Sequence, residues 1–493
     1  MALKHHHLLR KTLTFRKLTY RFISTSQLEE TFSFTESNPL KIPNLSFPET
    51  QITTLPNGLR VATESNPSAK TATISAWIDA GSRHDAGEAS GSAHYAQHMK
   101  LKATFSWSKE EGRKMEESQA MIEDMGGCLT ACTAREHTVY NLMVRDKYAP
   151  DAIRVFADIL KMNSGLEDVD SLRDTILSEK EAVERCPEKL IFDHLHNAAF
   201  RGSPLGRTVL GTDYVIKTIQ RKKILDFIST HYTAPRTVIA AAGAVKHEDI
   251  VEKVNKLITR LPTDPTTASQ LAAKEPTTFT ASEVRIIDDG LPLAHFVVAF
   301  KGASLTDPDS IALMVMQFML GSWNKSTEVG KLTSSELSQR VAIDNIAESL
   351  MPFHKNYKDA GLFGVYACAK PGRLEDLAHA IMYEISKLSY RVLEADVIHG
   401  CNQLKSSILL DLDGTTPVAE AIGSQLLAFG RRISFAELFK RIDAVDASTI
   451  KRVASRFIFD RDIVVAAMGP IQGLPDYNWF RRSTSTIHPP GGG

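Results

Sequence analysis

Long apolar runs are missing from this 493-residue chain. The strongest, 238–245 and 311–320, are too short to cross a bilayer as helices, so the expectation is a protein that is soluble or held at a membrane through partners, with no transmembrane segment. An excess of either charge is missing as well. Lys and Arg total 58 and Asp and Glu total 58, which argues against a general binder of nucleic acid or of membrane surfaces. Cysteine is scarce and unpatterned: Cys128, Cys132, Cys186, Cys368 and Cys401 make no CxxC pair and leave one over. That argues against a disulfide framework and against a cysteine zinc site. Cys128 and Cys132 share a face of either a helix or a strand and are expected as small buried thiols. Acids are absent from residues 1–28, where Lys4, Arg10, Lys11, Arg16, Lys17 and Arg21 alternate with Leu, Phe, Ile, Ser and Thr. A basic, hydroxylated, acid-free amphipathic start reads as an organelle transit peptide, and without a long apolar core it is not a secretory signal. His5, His6 and His7 fall inside that segment and are taken as incidental.

What is present has the length of two to four domains and the composition of a globular protein. Pro56-Asn57-Gly58 marks a hairpin turn after residue 50. Residues 71–80 alternate as a strand and lead through Gly81 to a helix beginning around Ser90, Gly91 and Ser92. A helix over 109–125, closed by Gly126 and Gly127, precedes one long strand or a strand pair over 129–144. Helices are expected over 149–161, 168–184, 189–199 and 215–231, then a buried strand over 237–245. A Pro- and Thr-rich linker follows at 263–282. Beyond it the pattern repeats. FVVAFKGAS at 296–304, followed by a helix from 310, echoes ISAWIDAGS at 74–82 and the helix after it. IVVAAMG at 463–469 echoes VIAAAG at 238–243. The domain plan is therefore 50–262 and 283–485, two halves of one design.

The chemistry sits in His94-Tyr95-Ala96-Gln97-His98. Histidines four apart lie on one helix face, so both imidazoles reach one metal ion. The order H-x-x-E-H is the inverted zinc-peptidase signature, and here Gln97 stands where it has glutamate. A carboxylate there takes a proton from metal-bound water and returns one to the leaving amine; a carboxamide does neither. A third ligand should come from another helix of the same half. Glu179, Glu181 and Glu184 are candidates among which spacing does not choose. The second half has no histidine pair in its matching helix, so only the first half can hold the metal.

Motifs along roughly 430 residues carry a family resemblance. They include LPNGLRVAT at 55–63, DAGSR at 79–83, GSAHYAQHM at 91–99, IFDHLH at 191–196, PLGR at 204–207, THYTAPR at 230–236, GSWN at 321–324, GLFGVY at 361–366 and DAVDAS at 443–448. With these the chain resembles the β-type subunits of the mitochondrial processing peptidases, a branch of the pitrilysin-type metallopeptidases. The likeness is greatest to the plant type, which is also a core protein of the respiratory cytochrome complex. The glycine-rich loop of α-type subunits is absent, since only Gly321 and Gly330 flank 323–329.

The resemblance implies an α+β fold of two homologous halves, each of two related α+β domains, enclosing a cleft. It puts the ligands of one zinc ion on His94, His98 and Glu179 and the general base on Gln97. Substrate contacts fall on Thr130-Ala131, in place of the family's Asn-Ala, and on Lys189 and Asp193, with Lys189 reversing an acidic position. Residues 100–115 hold an apparent six-residue insertion. The implied activity is zinc-dependent cleavage of presequences from imported precursors in the mitochondrial matrix or at the matrix face of the inner membrane. The implied partners are an α-type subunit and basic presequence peptides, with no nucleic acid. Glu110, Glu111, Glu116, Glu117, Glu184, Glu188 and Asp193 are acids that could receive such peptides. Gln97 predicts impaired catalysis, and the alternative is a silent core subunit of the cytochrome complex or of the processing heterodimer.

Overall fold

The computed structural model describes residues 48–105, 122–161, 169–327 and 335–485. The expected transit peptide, Glu110, Glu111, Glu116, Glu117 and most of the expected insertion lie outside the described residues.

The first half is built on a six-stranded sheet. Its strands are β1 (Thr50–Thr54), β2 (Arg60–Ser65), β3 (Thr71–Ile78), β4 (Cys128–Thr133), β5 (Thr138–Arg145) and β6 (Thr237–Gly243). The order is β1-β2-β6-β3-β5-β4, with only β2 and β6 parallel. The β1–β2 turn is the expected hairpin. Leu55 N–H donates to the Leu59 carbonyl at 2.8 Å, and Gly58 takes φ +91° where a Cβ would meet Pro235 at 2.9 Å. Residues 129–144 are a strand pair. The helices are α1 (Ser92–Phe105), α2 (Ala149–Leu160), α3 (Asp170–Glu184), α4 (Pro187–Ala199), α5 (Asp213–Thr218), α6 (Arg221–His231) and α7 (His247–Leu257).

Two local expectations are corrected. The helix expected over 215–231 is broken into α5 and α6, because carbonyls at the break are taken by side chains. Ile216 O accepts from Tyr95 Oη at 2.8 Å and from Arg173 Nη1 at 2.7 Å, and Ile219 O accepts from Arg173 Nη2 at 3.1 Å. The stretch expected as plain linker contains α8 (Ala268–Lys274), whose first turn is held by a reciprocal capping box between Thr267 and Gln270.

The second half repeats the plan. Its strands are β7 (Ser282–Ile287), β8 (Ala294–Lys301), β9 (Trp323–Asn324), β10 (Ser349–Asn356), β11 (Gly361–Ala369) and β12 (Ile463–Gly469), ordered β7-β12-β8-β11-β10-β9 with only β7 and β12 parallel. Five strands therefore correspond in order to those of the first sheet: β2-β6-β3-β5-β4 to β7-β12-β8-β11-β10. Its helices are α9 (Ser310–Leu320), α10 (Glu336–Asp344), α11 (Leu374–Lys387), α12 (Glu394–Asp411), α13 (Thr415–Phe429), α14 (Phe435–Asp443), α15 (Ala447–Phe457) and α16 (Tyr477–Ser483). The α+β class and the two-half design are as expected. Each half carries one sheet, so the sheet-and-helix unit occurs twice in the described chain rather than twice within each half.

The halves exchange helices. α4 leaves the first half to bury Ile191, Leu195, Ala198 and Ala199 against Val297, Ala299, Val464 and Ala466 of the second sheet. Its counterpart α13 returns Ala419, Ile422 and Leu426 to Trp77, Val139, Val238 and Ala240 of the first. Burying each large aliphatic side chain stabilises by about 1.5–3 kcal/mol, so each half needs the other to cover its sheet. The turns at matching ends of β4–β5 and β10–β11 also meet. Arg83, 5% exposed, bonds Glu136 at 2.7 Å and both Asp359 carboxylate oxygens at 2.6 Å, while the Lys358 backbone N–H donates to Glu136.

Candidate metal centre

The site begins with the start of α1. Gly91 takes φ +99°, a conformation glycine tolerates, and lies so close to Leu210 that a Cβ would sit 2.8 Å from its carbonyl oxygen. The expected start near Ser90–Ser92 holds, but the cap comes from farther back. Asp85 Oδ2 accepts from the Gly91 N–H at 2.6 Å and Oδ1 from the Ala93 N–H at 2.9 Å. Burial pushes the Asp85 carboxyl up to about 7, against those two N–H groups and Arg207.

The second support is the α5–α6 break. Tyr95 of α1 and Arg173 of α3 donate to the same Ile216 carbonyl, which locks the two helices at a shared point. The histidines of α1 face Glu179, which lies farther along α3. His94 Nε2 lies 2.9 Å and His98 Nε2 3.0 Å from Glu179 Oε2, and the two Nε2 atoms are 3.2 Å apart. Of the three acids that spacing left open, Glu179 is the one that reaches. Glu181 bonds Arg185 and Glu184 pairs with Lys180, both within α3 or at its end.

These three atoms can hold a cation. When the ring protons sit on Nδ1, the two Nε2 atoms and the carboxylate oxygen turn their lone pairs toward one point, which a cation can occupy. Tetrahedral ligands about 2.0 Å from one ion lie roughly 3.3 Å apart, close to what is seen. The protonation states agree with this. Burial lowers the His94 imidazole, favouring the neutral ring. Burial would raise Glu179, but hydrogen bonds and charge from His94 and His98 outweigh it and hold the carboxyl at about 2. A neutral imidazole beside an ionised carboxylate is what a metal requires. His94 Nδ1 is buried without a hydrogen-bond partner among the described residues.

Gln97 lies between the histidines on α1 and is 5% exposed. Its Oε1 accepts from Thr133 Oγ1 at 2.7 Å. Thr133 closes β4, the end strand of the first sheet, so the carboxamide is fixed between the metal helix and the sheet edge. Thr130 and Ala131 lie on the same strand, half-buried. Cys128 and Cys132 are exposed there, not buried as expected, because β4 has a sheet neighbour on one side only. Lys189 sits in the first turn of α4 and Asp193 one turn later. Asp193 accepts from Arg135 at 2.6 Å and from Thr208 at 2.7 Å. Asp85, Thr133 and the Tyr95–Arg173 staple escaped the sequence reading. Only Asp85 left a signal there, as one of two acids, with Glu88, just upstream of a helix start that has no acid in its first turn.

Comparison with known proteins places this geometry. Residues 60–213, which include His94, His98 and Glu179, match the family described as insulinase (peptidase family M16), and residues 218–404 match the peptidase M16 inactive domain. The probable mitochondrial-processing peptidase subunit beta of Arabidopsis thaliana is 60% identical over 442 residues, 89% of this chain and 82% of that protein. The mitochondrial-processing peptidase subunit beta of Bos taurus is 39% identical, across 90% of this chain and 89% of that one. Among solved structures, a chain of Candida albicans complex III, with Inz-5 bound, superposes with a TM-score of 0.78 at 27% identity, covering 88% of this chain and 99% of that chain. The chain belongs to the insulinase (peptidase M16) family, among relatives named as the β subunit of the mitochondrial processing peptidase.

Proposed function

We propose that this chain is a β-type presequence-binding subunit that holds one zinc ion through His94, His98 and Glu179 and whose hydrolytic step is impaired at Gln97. The observation that carries the reading is the division of labour within α1. The residues facing Glu179 are intact, and the residue between them is a carboxamide whose oxygen accepts from Thr133. Zinc bound there supplies a Lewis acid and lowers the pKa of a bound water. The protein must supply the group that moves protons, and Gln97 has no titratable oxygen. Such a loss costs on the order of 10²–10⁴ in rate. Metal binding and turnover thus rest on different residues and come apart.

The same reading assigns residues 1–28 as a mitochondrial transit peptide, 50–262 as the metal-bearing half, 263–282 as the connection and 283–485 as the inactive-type half. It puts the mature chain in the matrix or at the matrix face of the inner membrane, paired with an α-type subunit. Basic presequence peptides add to the outer edge of β4, near Thr130 and Ala131 and in reach of Lys189 and Asp193. A second reading, a silent core subunit of the respiratory cytochrome complex, is favoured by the likeness to a complex III chain over nearly all of that chain's length.

The test compares the native chain with Gln97→Glu, each paired with an α-type subunit and supplied with zinc. Both should bind one zinc per site, and Gln97→Glu should cleave a basic presequence peptide at least about 10²-fold faster. A smaller gain that grows on adding Lys189→Glu would locate a second defect in substrate binding. Equal, substantial turnover by both chains would show that another residue serves as base.

A further inference from the structure

The two helices that carry the candidate ligands are both held by a third segment, residues 210–219. Its first part touches the start of α1. A Cβ on Gly91 would lie 2.8 Å from the Leu210 carbonyl oxygen, and one on Gly211 would lie 2.5 Å from that of Ser90, so the two backbones are in direct contact. Its helix, α5, then runs along one side of α3. Arg173 and Lys180, seven residues apart, share that face of α3. Lys180 bonds Asp213 at the start of α5, and Arg173 reaches the carbonyls at its end.

The last carbonyls of a helix have no partner within it. In α5 they are filled from the two ligand helices at once. Ile216 O accepts from Tyr95 Oη of α1 at 2.8 Å and from Arg173 Nη1 of α3 at 2.7 Å, which uses both of its lone pairs. Ile219 O accepts from Arg173 Nη2 at 3.1 Å, and Asp170 holds Arg173 Nε at 2.6 Å, so the guanidinium is gripped on two sides. Tyr95 and Ile216 are fully buried. α1 and α3 also meet directly where Lys102 bonds Ser171, but that contact is exposed to solvent.

We infer that Tyr95 and Arg173 are positioning residues that make segment 210–219 the gauge of the metal site, so that it selects a small divalent ion over a larger one. The inference rests on the zinc reading proposed above, and it adds what sets the affinity and the choice of ion. His94 and His98 lie four residues apart on one helix, so their spacing is fixed within α1. The reach from them to Glu179, 2.9 and 3.0 Å, is fixed only by how α1 stands against α3. The shared Ile216 carbonyl sets that stance from the buried side. An ion larger than zinc needs Glu179 farther from the histidines, and a braced pair of helices resists the move.

The test uses the full chain and measures zinc and cadmium affinity by competition with chromophoric chelators, beside the melting temperature of the metal-free chain. Tyr95→Phe removes one hydroxyl and leaves Ile216 O bonded to Arg173, so no buried group is orphaned. It should weaken zinc binding about ten-fold or more and cadmium binding less, so that the preference for zinc shrinks. Arg173→Lys keeps the charge at the end of α5 but not the fork, and should shift both affinities in the same direction. Tyr214→Ala, on the outer side of α5 where the ring is 76% exposed, should change neither. Unchanged zinc affinity in Tyr95→Phe and Arg173→Lys, with or without a lower melting temperature, overturns the inference; if Glu179→Gln still weakens zinc binding, the metal site itself stands. Equal losses for the two ions overturn it as well. Failure of the native chain to bind zinc overturns the metal reading, and this inference with it.

Discussion

Position 97 shows how little a substitution must change to separate binding from chemistry. Glutamine has the length of glutamate and fits the same buried space, so Thr133 can donate to its oxygen without moving α1. Removing that donor leaves a buried acceptor unmatched, and Thr133→Val should destabilise the chain by about 1–3 kcal/mol in chemical denaturation. The ligand residues behave differently. Glu179 supplies the one negative charge among the three atoms, so Glu179→Gln should weaken zinc binding by more than the roughly 10–100-fold typical of losing a supporting partner. Competition with a chromophoric chelator measures this, and an unchanged affinity would show that zinc binds elsewhere. Spacing at this scale left Glu179, Glu181 and Glu184 open, because helical periodicity says which residues share a face and not which face meets another helix. The family resemblance pointed to Glu179, and its distances to His94 and His98 show that it is the acid that reaches.

At the scale of elements, α1 is held by groups far from it in sequence. Asp85 satisfies two N–H groups of its first turn, and Ile216 O ties it to α3. The packing of α13 is equally dependent on one position. A Cβ on Gly423 would lie 2.2 Å from Trp77 Cδ1, so Gly423→Ala forces the helix or the indole to shift. It should cost about 1–3 kcal/mol, as overpacked cores do. Gly372 is the matched control, because a Cβ there would meet nothing within 4 Å, and Gly372→Ala should change stability by less than about 0.5 kcal/mol. Equal thermal shifts for the two variants would mean that α13 does not rest on Trp77 through Gly423.

For the whole molecule, helix exchange and the Arg83–Glu136–Asp359 contact join the halves through buried polar groups as well as apolar ones. Several histidines are caught in this packing. Burial, mainly, pushes His137 and His354 down to about 4 and His231 down to about 3. Below pH 6.5 the unfolded chain takes up these protons and the folded chain does not, so their effect is to lower stability as pH falls. Asp85 works in the opposite sense. Raised to about 7, it takes up its proton in the folded state first, which favours folding increasingly as pH falls from 7 toward 3.8. Around pH 5 the three histidines outweigh the one carboxyl. Stability should therefore fall on acidification from pH 6 to pH 4.5, by about 1.4 kcal/mol per pH unit for each net proton. Urea midpoints at a series of pH values test this, and a rise in midpoint over that range would contradict it.

Most strands and helices of the first half, the repetition of one plan in two halves, the histidine pair of α1 and the missing carboxylate at Gln97 were all legible in the linear chain. Each is a local matter of periodicity, turn residues or side-chain identity. Other features exist only once the chain has closed on itself. Asp85 caps α1, Thr133 fixes Gln97, α4 and α13 change places, and Cys128 and Cys132 stand exposed on an end strand. Those outcomes depend on which surfaces meet when distant segments come together. Local periodicity carries no record of such meetings, because the partners are brought together by burial of apolar faces and matching of polar groups across the whole chain.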